Sequence, residues 1–168
     1  MKKALVVIDM QKDFVSGALA NPDAQAIVSP IANFVQNFDG DIFATRDTHT
    51  EEYLSTAEGK NLPVPHCIKD TDGWQIVEKI ATALSEKNAV ILDKPTFGFL
   101  DWEALTGYDE ITLVGTCTDI CVVSNALILK AKFPESKVRV CASLCAGTSK
   151  QNHDSALTVM SCCQVEVF

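Results

Sequence analysis

The sequence lacks the features of a secreted, membrane-spanning or multidomain protein. No apolar run approaches the roughly 20 residues that a helix needs to cross a bilayer. The basic start Met1-Lys2-Lys3 is followed by only a short apolar stretch, and no small-residue cleavage site comes after it. Repeats, low-complexity stretches and linkers are also absent. We therefore expect a cytosolic protein with a single domain over residues 1–168.

Positive charge is scarce. Fourteen Lys and Arg residues stand against 22 Asp and Glu residues, which leaves a formal net charge of −8. Phosphate backbones and anionic lipid surfaces repel a chain of this charge. The composition therefore argues against nucleic acid and against a membrane surface as partners.

The seven cysteines include no Cys-x-x-Cys pair. Cys141 and Cys145 are four positions apart, and Cys162 and Cys163 are adjacent, and neither spacing suits a zinc finger. An odd number of cysteines without a secretion signal predicts free thiols rather than a disulfide framework. Most of these thiols should be small core residues.

Short apolar runs alternate with longer stretches of helical periodicity. The run from Ala4 to Ile8 has no polar interruption, which is typical of a strand buried on both faces. Residues 48–72 have no clear period, as is usual for a functional or disordered segment. The alternation predicts a single-domain three-layer α/β/α fold with a six-stranded, mainly parallel sheet. Strands are predicted over 4–8, 41–45, 89–92, 110–114, 138–140 and 164–168, and helices over 24–38, 73–85, 101–105, 119–133 and 153–160.

Polar residues follow the first four predicted strands. Asp9, Asp47 and Lys94 stand at the ends of the first three, and the segment Thr116–Cys121 comes just past the fourth. In an open α/β sheet, ligands bind beyond the carboxyl ends of the strands. We therefore expect these residues to converge at one edge of the sheet and to form the functional site.

Cys121 is the candidate nucleophile because it lies near the start of a predicted helix. A helix N-terminus stabilises negative charge, so a thiol there is a better thiolate. Its free backbone N–H groups can also hold a developing oxyanion. Cys117 lies in the same turn and is the alternative nucleophile, and a buried, inert Cys121 is the competing interpretation.

Six segments of the chain resemble, in order, the motifs of one enzyme superfamily. They are Asp9–Phe14, Thr45–His49, Pro65–Ile68, Asp93–Gly98, Val114–Val122 and Ala142–Asp154. The segments are similar to those of the isochorismatase-like cysteine hydrolases, which include nicotinamidases and N-carbamoylsarcosine amidases. The resemblance covers nearly the whole chain. It implies the isochorismatase-like fold and an amidase that hydrolyses nicotinamide to nicotinate and ammonia through a Cys121 thioester.

The resemblance also implies the role of each residue in the reaction. Cys121 would be the nucleophile, Asp9 would move its proton, and Lys94 would stabilise the nearby anions. The backbone N–H groups of Thr118 and Cys121 would hold the oxyanion, next to a cis peptide bond at Cys117–Thr118. An aspartate beside a lysine normally has a low pKa, so Asp9 needs desolvation to act as a base.

A metal site is implied in the same way. Asp47, His49 and His66 match the family's metal ligands, and these donors suit Zn²⁺, with Fe²⁺ or Mn²⁺ as alternatives. The metal would receive the pyridine nitrogen of the substrate. Phe14 and Phe97 are the expected residues of the substrate pocket, with Trp74 as a weaker candidate.

Two positions depart from the nicotinamidase pattern and keep other substrates open. Thr48 stands where an aromatic residue is usual, and Tyr53 stands where several members have a further histidine. The alternative is a related cysteine hydrolase that acts on another small amide or ureido compound. Vinyl ether hydrolysis of the isochorismatase type is disfavoured, because that branch generally lacks the cysteine at position 121.

Two further possibilities concern binding rather than catalysis. A non-catalytic metal- or thiol-binding protein is disfavoured by the cysteine spacing. A homo-oligomer is also possible, since the apolar helix from Ile120 to Leu129 could contribute an interface.

Overall fold

A single sheet of six parallel strands organises the chain in the computed structural model, which describes residues 1–168. Its order is β3-β2-β1-β4-β5-β6, and every neighbouring pair is parallel. The strands are β1 (Lys3–Ile8), β2 (Asp41–Asp47), β3 (Val90–Lys94), β4 (Glu110–Thr116), β5 (Lys137–Ala146) and β6 (Glu166–Val167). The predicted α/β fold is therefore confirmed, with a sheet that is wholly rather than mainly parallel.

Helices cover both faces of the sheet. Helices α2 and α4 pack together on one face, and α5 and α6 pack together on the other. None of the helices is long and apolar enough to cross a membrane. The bounds are α1 (Lys12–Val15), α2 (Pro22–Asn37), α3 (Ala57–Asn61), α4 (Glu78–Glu86), α5 (Val123–Lys132) and α6 (Lys150–Cys162).

The central strand β1 shows why its sequence is apolar throughout. Leu5 and Val7 belong to the core beneath α2 and α4, whereas Val6 and Ile8 belong to the core beneath α5 and α6. Both faces of β1 are therefore buried, as its uninterrupted apolar run predicts.

Some element bounds differ from the predicted ones for reasons of long-range pairing. The helix predicted over 73–85 begins only at Glu78, because the backbone before it pairs with the loop after β1. Val77 N–H donates to the Met10 carbonyl, and Gln11 forms a β-bridge with Ile76. Likewise β5 continues to Ala146, and β6 comprises only two residues.

The chain reverses its direction of winding between β1 and β4, which lie side by side at the centre of the sheet. Ligands bind at such a reversal in open α/β sheets. Gly115 of β4 lies opposite Ile8 of β1, with φ at +121°, and a Cβ atom there would stand 2.2 Å from the Ile8 carbonyl oxygen. A glycine is therefore required where the carboxyl ends of β1 and β4 approach each other closely.

Substitution of Gly115 tests this close approach. We expect Gly115→Ala to lower the free energy of unfolding by at least about 3 kcal/mol, since it combines an unfavourable φ with a backbone clash. Gly107 is the matched control, because its φ is +82° but no atom lies within 4 Å of the added Cβ. Gly107→Ala should cost only about 1 kcal/mol. Equal losses in urea unfolding of the two variants would contradict the prediction.

Candidate active site

The ends of the first four strands bring the predicted catalytic residues together. Asp9 directly follows β1, Lys94 is the last residue of β3, and Cys121 lies in the turn after β4. Asp47 is the last residue of β2 and joins them. All four side chains are buried, and none is more than 3% exposed. The convergence expected from the strand-end positions is therefore what the structure shows.

Lys94 lies at the centre of this cluster. Its Nζ atom is 2.7 Å from Asp9 Oδ2, 3.3 Å from Asp47 Oδ1 and 3.6 Å from the Cys121 sulfur. It also donates to the Thr96 carbonyl at 3.0 Å. Burial works to lower the pKa of Lys94, but its anionic neighbours raise it above the ordinary value, so the side chain stays charged.

Thr45 orients the Asp9 carboxylate, a role that the sequence did not indicate. Its hydroxyl donates to Asp9 Oδ1 at 2.7 Å and accepts from the Asp9 backbone N–H at 3.2 Å. The other oxygen, Oδ2, lies 2.7 Å from Lys94 Nζ, which is also 3.6 Å from the Cys121 sulfur. Oδ2 is therefore the Asp9 oxygen that Thr45 leaves without a hydrogen bond.

Burial resolves the difficulty of an aspartate base beside a lysine. Desolvation raises the pKa of Asp9, and it outweighs the opposing effect of the Lys94 charge. The negative charge of Asp47 raises the Asp9 pKa further. Asp9 can therefore accept and return a proton more readily than an exposed aspartate paired with a lysine.

Burial acts on the Cys121 thiol in the direction opposite to the effect expected from its place near a helix start. Burial, followed by the Asp9 carboxylate, raises the pKa of Cys121 well above the ordinary value, although Lys94 works in the opposite direction. These effects outweigh the helix terminus. This environment favours the protonated thiol, so a nearby base would assist its ionisation.

The nucleophile turn is a single π-helical turn over Thr118–Val122 that leads into α5. Its cis peptide bond joins Thr116 to Cys117, so the expected position at Cys117–Thr118 is wrong by one residue. The cis bond lies at the junction where β4 ends and the turn begins. Within the turn, the N–H groups of Ile120 and Val122 both donate to the Cys117 carbonyl.

Cys117, the alternative nucleophile, lines the same cavity but stands apart from the proton-transfer groups. No hydrogen bond joins it to Asp9 or Lys94, whereas Cys121 contacts both. Burial raises the pKa of the Cys117 thiol to about 11. The geometry therefore favours Cys121.

The three predicted metal ligands meet a fourth residue, Glu58. One ligand atom from each of Asp47, His49, Glu58 and His66 lies within 4.8 Å of the others. His49 Nε2 is 2.9 Å from Asp47 Oδ2, and Glu58 Oε1 is 3.5 Å from His49 Nε2. His66 Nδ1 donates to the Val64 carbonyl at 2.8 Å, which leaves the Nε2 lone pair directed at the cluster.

The chemistry of these donors fits a divalent cation. Two carboxylates and two imidazoles are the oxygen and nitrogen ligands that such metals take in enzymes. Three carboxylates of the site stand against the one ammonium of Lys94, so a dication would balance the buried charge.

Glu58 escaped the sequence analysis because it lies in the irregular segment between two motifs, on the short helix α3. Thr56 caps this helix, since its hydroxyl accepts from the Gly59 N–H at 3.0 Å. Tyr53, at the position of the family's further histidine, packs instead against His49 and His66, with ring centroids 4.8 and 5.0 Å away. The fourth donor of the cluster is thus a carboxylate from α3.

Residues of the opening motif, Asp9–Phe14, also fix the backbone at Asp47 and beside His66. The Gln11 amide accepts from Asp47 N–H at 2.7 Å and donates to the carbonyls of Asp47 and Trp74 at 2.8 and 2.9 Å. Asp13 accepts from the Cys67 N–H at 2.8 Å, beside His66. Gln11 and Asp13 therefore hold the backbone of residues that carry the candidate metal ligands.

A cavity of about 370 Å³ opens between the nucleophile and the Asp-His-Glu-His cluster. Its walls are mainly apolar and include both expected pocket residues, Phe14 and Phe97. No Lys or Arg lines the cavity, which suits a small, neutral ligand with an apolar ring. The remaining lining residues are Leu19, Ala20, Asn21, Asp47, Glu58, Leu62, His66, Cys117, Ile120, Cys121 and Thr148.

Trp74, the weaker pocket candidate, does not line this cavity. It is buried against Phe14 and Cys67, and the Arg46 guanidinium stacks on its ring at 3.6 Å. Trp74 Nε1 donates to the Thr48 hydroxyl at 2.8 Å. Thr48 is therefore engaged outside the cavity and contributes no side chain to its wall.

Comparison with known proteins agrees with this geometry. The nicotinamidase of Saccharomyces cerevisiae is 30% identical over an alignment of 176 positions, gaps included. The alignment covers 74% of this chain and 80% of that protein. The structure of the pyrazinamidase/nicotinamidase from Streptococcus mutans is 29% identical, with a TM-score of 0.82 over 99% of this chain and all of that one. The pyrazinamidase of Pyrococcus horikoshii, solved in complex with zinc, has the same fold, with 24% identity and a TM-score of 0.80 over 100% of this chain and 99% of that one.

The family model of the isochorismatase domain matches residues 3–168, nearly the whole chain. Together with the six ordered motifs and the shared fold, this match shows that the chain belongs to the isochorismatase domain family.

Proposed function

We propose that this chain is a metal-containing cysteine amidohydrolase that converts nicotinamide to nicotinate and ammonia. One observation carries the proposal: the Cys121 thiol and the Asp47, Glu58 and His66 donors all line a single cavity. A ring nitrogen and a carboxamide on the same small ring could therefore be held at once. Two of the similar proteins are a nicotinamidase and a pyrazinamidase/nicotinamidase, which supports this substrate class.

In the first half of the reaction, Asp9 Oδ2 takes the proton of the Cys121 thiol as the sulfur attacks the carboxamide carbon. The new C–S bond turns the carbonyl into an oxyanion, and the backbone N–H groups of Thr118 and Cys121 are the proposed donors to it. The C–N bond then breaks, and Asp9 gives its proton to the leaving nitrogen. Ammonia departs and a thioester remains on Cys121.

In the second half, a water molecule attacks the thioester carbon and Asp9 takes one of its protons. The C–S bond breaks, the sulfur recovers the proton from Asp9, and the carboxylate product leaves with release of one proton. Lys94 keeps its charge throughout and stabilises Asp9 and the sulfur whenever either is anionic.

Asp47, His49, Glu58 and His66 are the residues that would hold the metal. Zn²⁺ is the first choice for this set of donors, with Fe²⁺ or Mn²⁺ as alternatives. When bound, the ion supplies a Lewis-acid contact for the ring nitrogen and so orients the substrate. The chain's own contribution includes holding Asp47 through Gln11 and His66 through the Val64 carbonyl, with Asp13 fixing the backbone beside His66.

The alternative substrate class, another small amide or ureido compound, stays a prediction. Thr48 and Tyr53 raised that alternative, and both side chains lie outside the cavity. The cytosolic address and the homo-oligomer stay predictions. For the latter, Ala126 and Leu129 of the helix expected at an interface are buried in the core of the chain itself.

Substitution of the nucleophile tests the proposed chemistry. We expect Cys121→Ala to lower ammonia release from nicotinamide by at least about 10³-fold, because Cys117, the other thiol of the cavity, has no hydrogen bond to Asp9 or Lys94. Cys163→Ser is the matched control, since Cys163 is exposed and lies on the far side of α6 from the reaction chemistry, at its C-terminal end. Turnover of benzamide but not nicotinamide by the wild type would reject nicotinamide as substrate and leave the hydrolase intact. Full activity of Cys121→Ala would reject both.

Substitution of Glu58 tests the fourth metal ligand. We expect Glu58→Gln to weaken Zn²⁺ binding by at least about tenfold, since a neutral amide replaces an anionic donor. Bound metal per chain, measured by elemental analysis after dialysis against a chelator series, reports this loss independently of activity. Glu52→Gln, an exposed substitution in the same segment, should retain the metal. Identical metal content in the two variants would exclude Glu58 as a ligand.

A further inference from the structure

Helix α6 contacts the nucleophile turn through a hydrogen bond between two side chains. His153 Nδ1 lies 2.8 Å from the hydroxyl oxygen of Thr118, the first residue of the turn. Thr118 is completely buried, and His153 is half-buried. His153 lies outside the cavity lining, so it reaches the reaction chemistry only through Thr118.

A second contact joins the same two elements. The Asp119 carboxylate accepts from the Thr148 backbone N–H at 2.8 Å and from the Thr148 hydroxyl. Asn152 in turn donates to that hydroxyl at 2.9 Å. Two successive residues of the nucleophile turn are therefore tied to the start of α6.

Gly147 permits this close approach. A Cβ atom at Gly147 would stand 2.8 Å from the His153 Cβ and 3.0 Å from an Asp119 carboxylate oxygen. Only a residue without a side chain lets the loop before α6 come this near to the turn. Backbone and side chains thus agree in docking α6 against the turn.

The position of the turn matters because the other catalytic groups are held by different elements. Asp9 is fixed by Thr45 of β2, and Lys94 belongs to β3. On the side of α5, Asn125 donates to the Cys121 carbonyl at 2.8 Å. At the start of the turn, His153 is the side chain that bonds to the Thr118 hydroxyl.

We propose that His153 is a positioning residue for the amidase reaction. Its hydrogen bond to Thr118 holds the turn in place. The Cys121 sulfur and the N–H groups of the turn then face the carboxamide carbon of a substrate bound beside Asp9 and Lys94. The inference rests on the proposed role of Cys121 as nucleophile. A small displacement of reacting groups can cost on the order of 100-fold in rate, so the effect falls on kcat. Substrate affinity, set by the cavity wall and the metal cluster, should change little.

Steady-state kinetics on nicotinamide with the metal-loaded protein test the proposal. We expect His153→Ala to lower kcat by on the order of 10- to 100-fold with KM changed by less than about threefold. His153→Asn should recover most of kcat, because its amide can bond to the same hydroxyl. Asp154→Ala is the matched control on the next position of α6, where the side chain is exposed and pairs only with Lys150.

A double-mutant cycle shows whether the effect passes through Thr118. Thr118→Val removes the hydroxyl and keeps the shape of the side chain, whereas Thr118→Ser keeps the hydroxyl. If the bond positions the turn, the double variant His153→Ala/Thr118→Val should be no slower than the slower single variant. Multiplicative losses, or a rise in KM with kcat unchanged, would overturn the proposal.

The alkylation rate of Cys121 by iodoacetamide, followed by mass spectrometry, separates this inference from the substrate assignment. His153→Ala and Thr118→Val should slow alkylation in parallel, whereas His153→Asn and Asp154→Ala should not. This result would support positioning by His153 even if nicotinamide were not turned over. If His153→Ala does not fold, the rates of His153→Asn and of the Thr118 variants decide. Unchanged alkylation in Thr118→Val would overturn the proposal.

Discussion

The rest of the site depends on the contacts of one buried group, the Lys94 ammonium. It contacts the carboxylates of Asp9, the proposed base, and of Asp47, a proposed metal ligand, and it lies 3.6 Å from the Cys121 sulfur. A buried lysine is tolerable only among anions, and removal of one partner of such a pair costs about 3–5 kcal/mol. The strand order makes the arrangement possible, because β3, β2, β1 and β4 are successive neighbours.

This shared lysine couples two parts of the site that are usually described apart. Asp47 contacts Lys94 through Oδ1 and the two histidines through Oδ2. Burial works to raise the pKa of Asp47, but the neighbouring His49 and His66 side chains, with the Lys94 charge, hold it below its ordinary range. Asp47 is therefore anionic in the folded protein. One side chain, Lys94, therefore links the charge of the Asp-His-Glu-His cluster to Asp9.

The sequence predicts the parts of this protein that follow from local pattern and fails where long-range contacts decide. Asp9, Asp47 and Lys94 could be placed because a polar residue at the end of a buried strand has one destination in a parallel sheet. Thr45 and Gln11 gave no such signal, since their roles appear only when β1 and β2 are neighbours. Glu58 was missed for the same reason. The segment 73–77 has a helical pattern, but its pairing with the loop after β1 overrides it.

The docking of α6 against the nucleophile turn has a consequence for how the protein loses function. Asp9 lies near one end of the chain, and His153 lies near the other. Local opening of a peripheral helix requires less free energy than unfolding of the central strands. Fraying of α6 would therefore leave the sheet and the metal donors assembled while the turn drifts from its partners. Enzyme activity should then be lost at the temperature at which α6 opens, which is lower than the temperature at which the sheet unfolds.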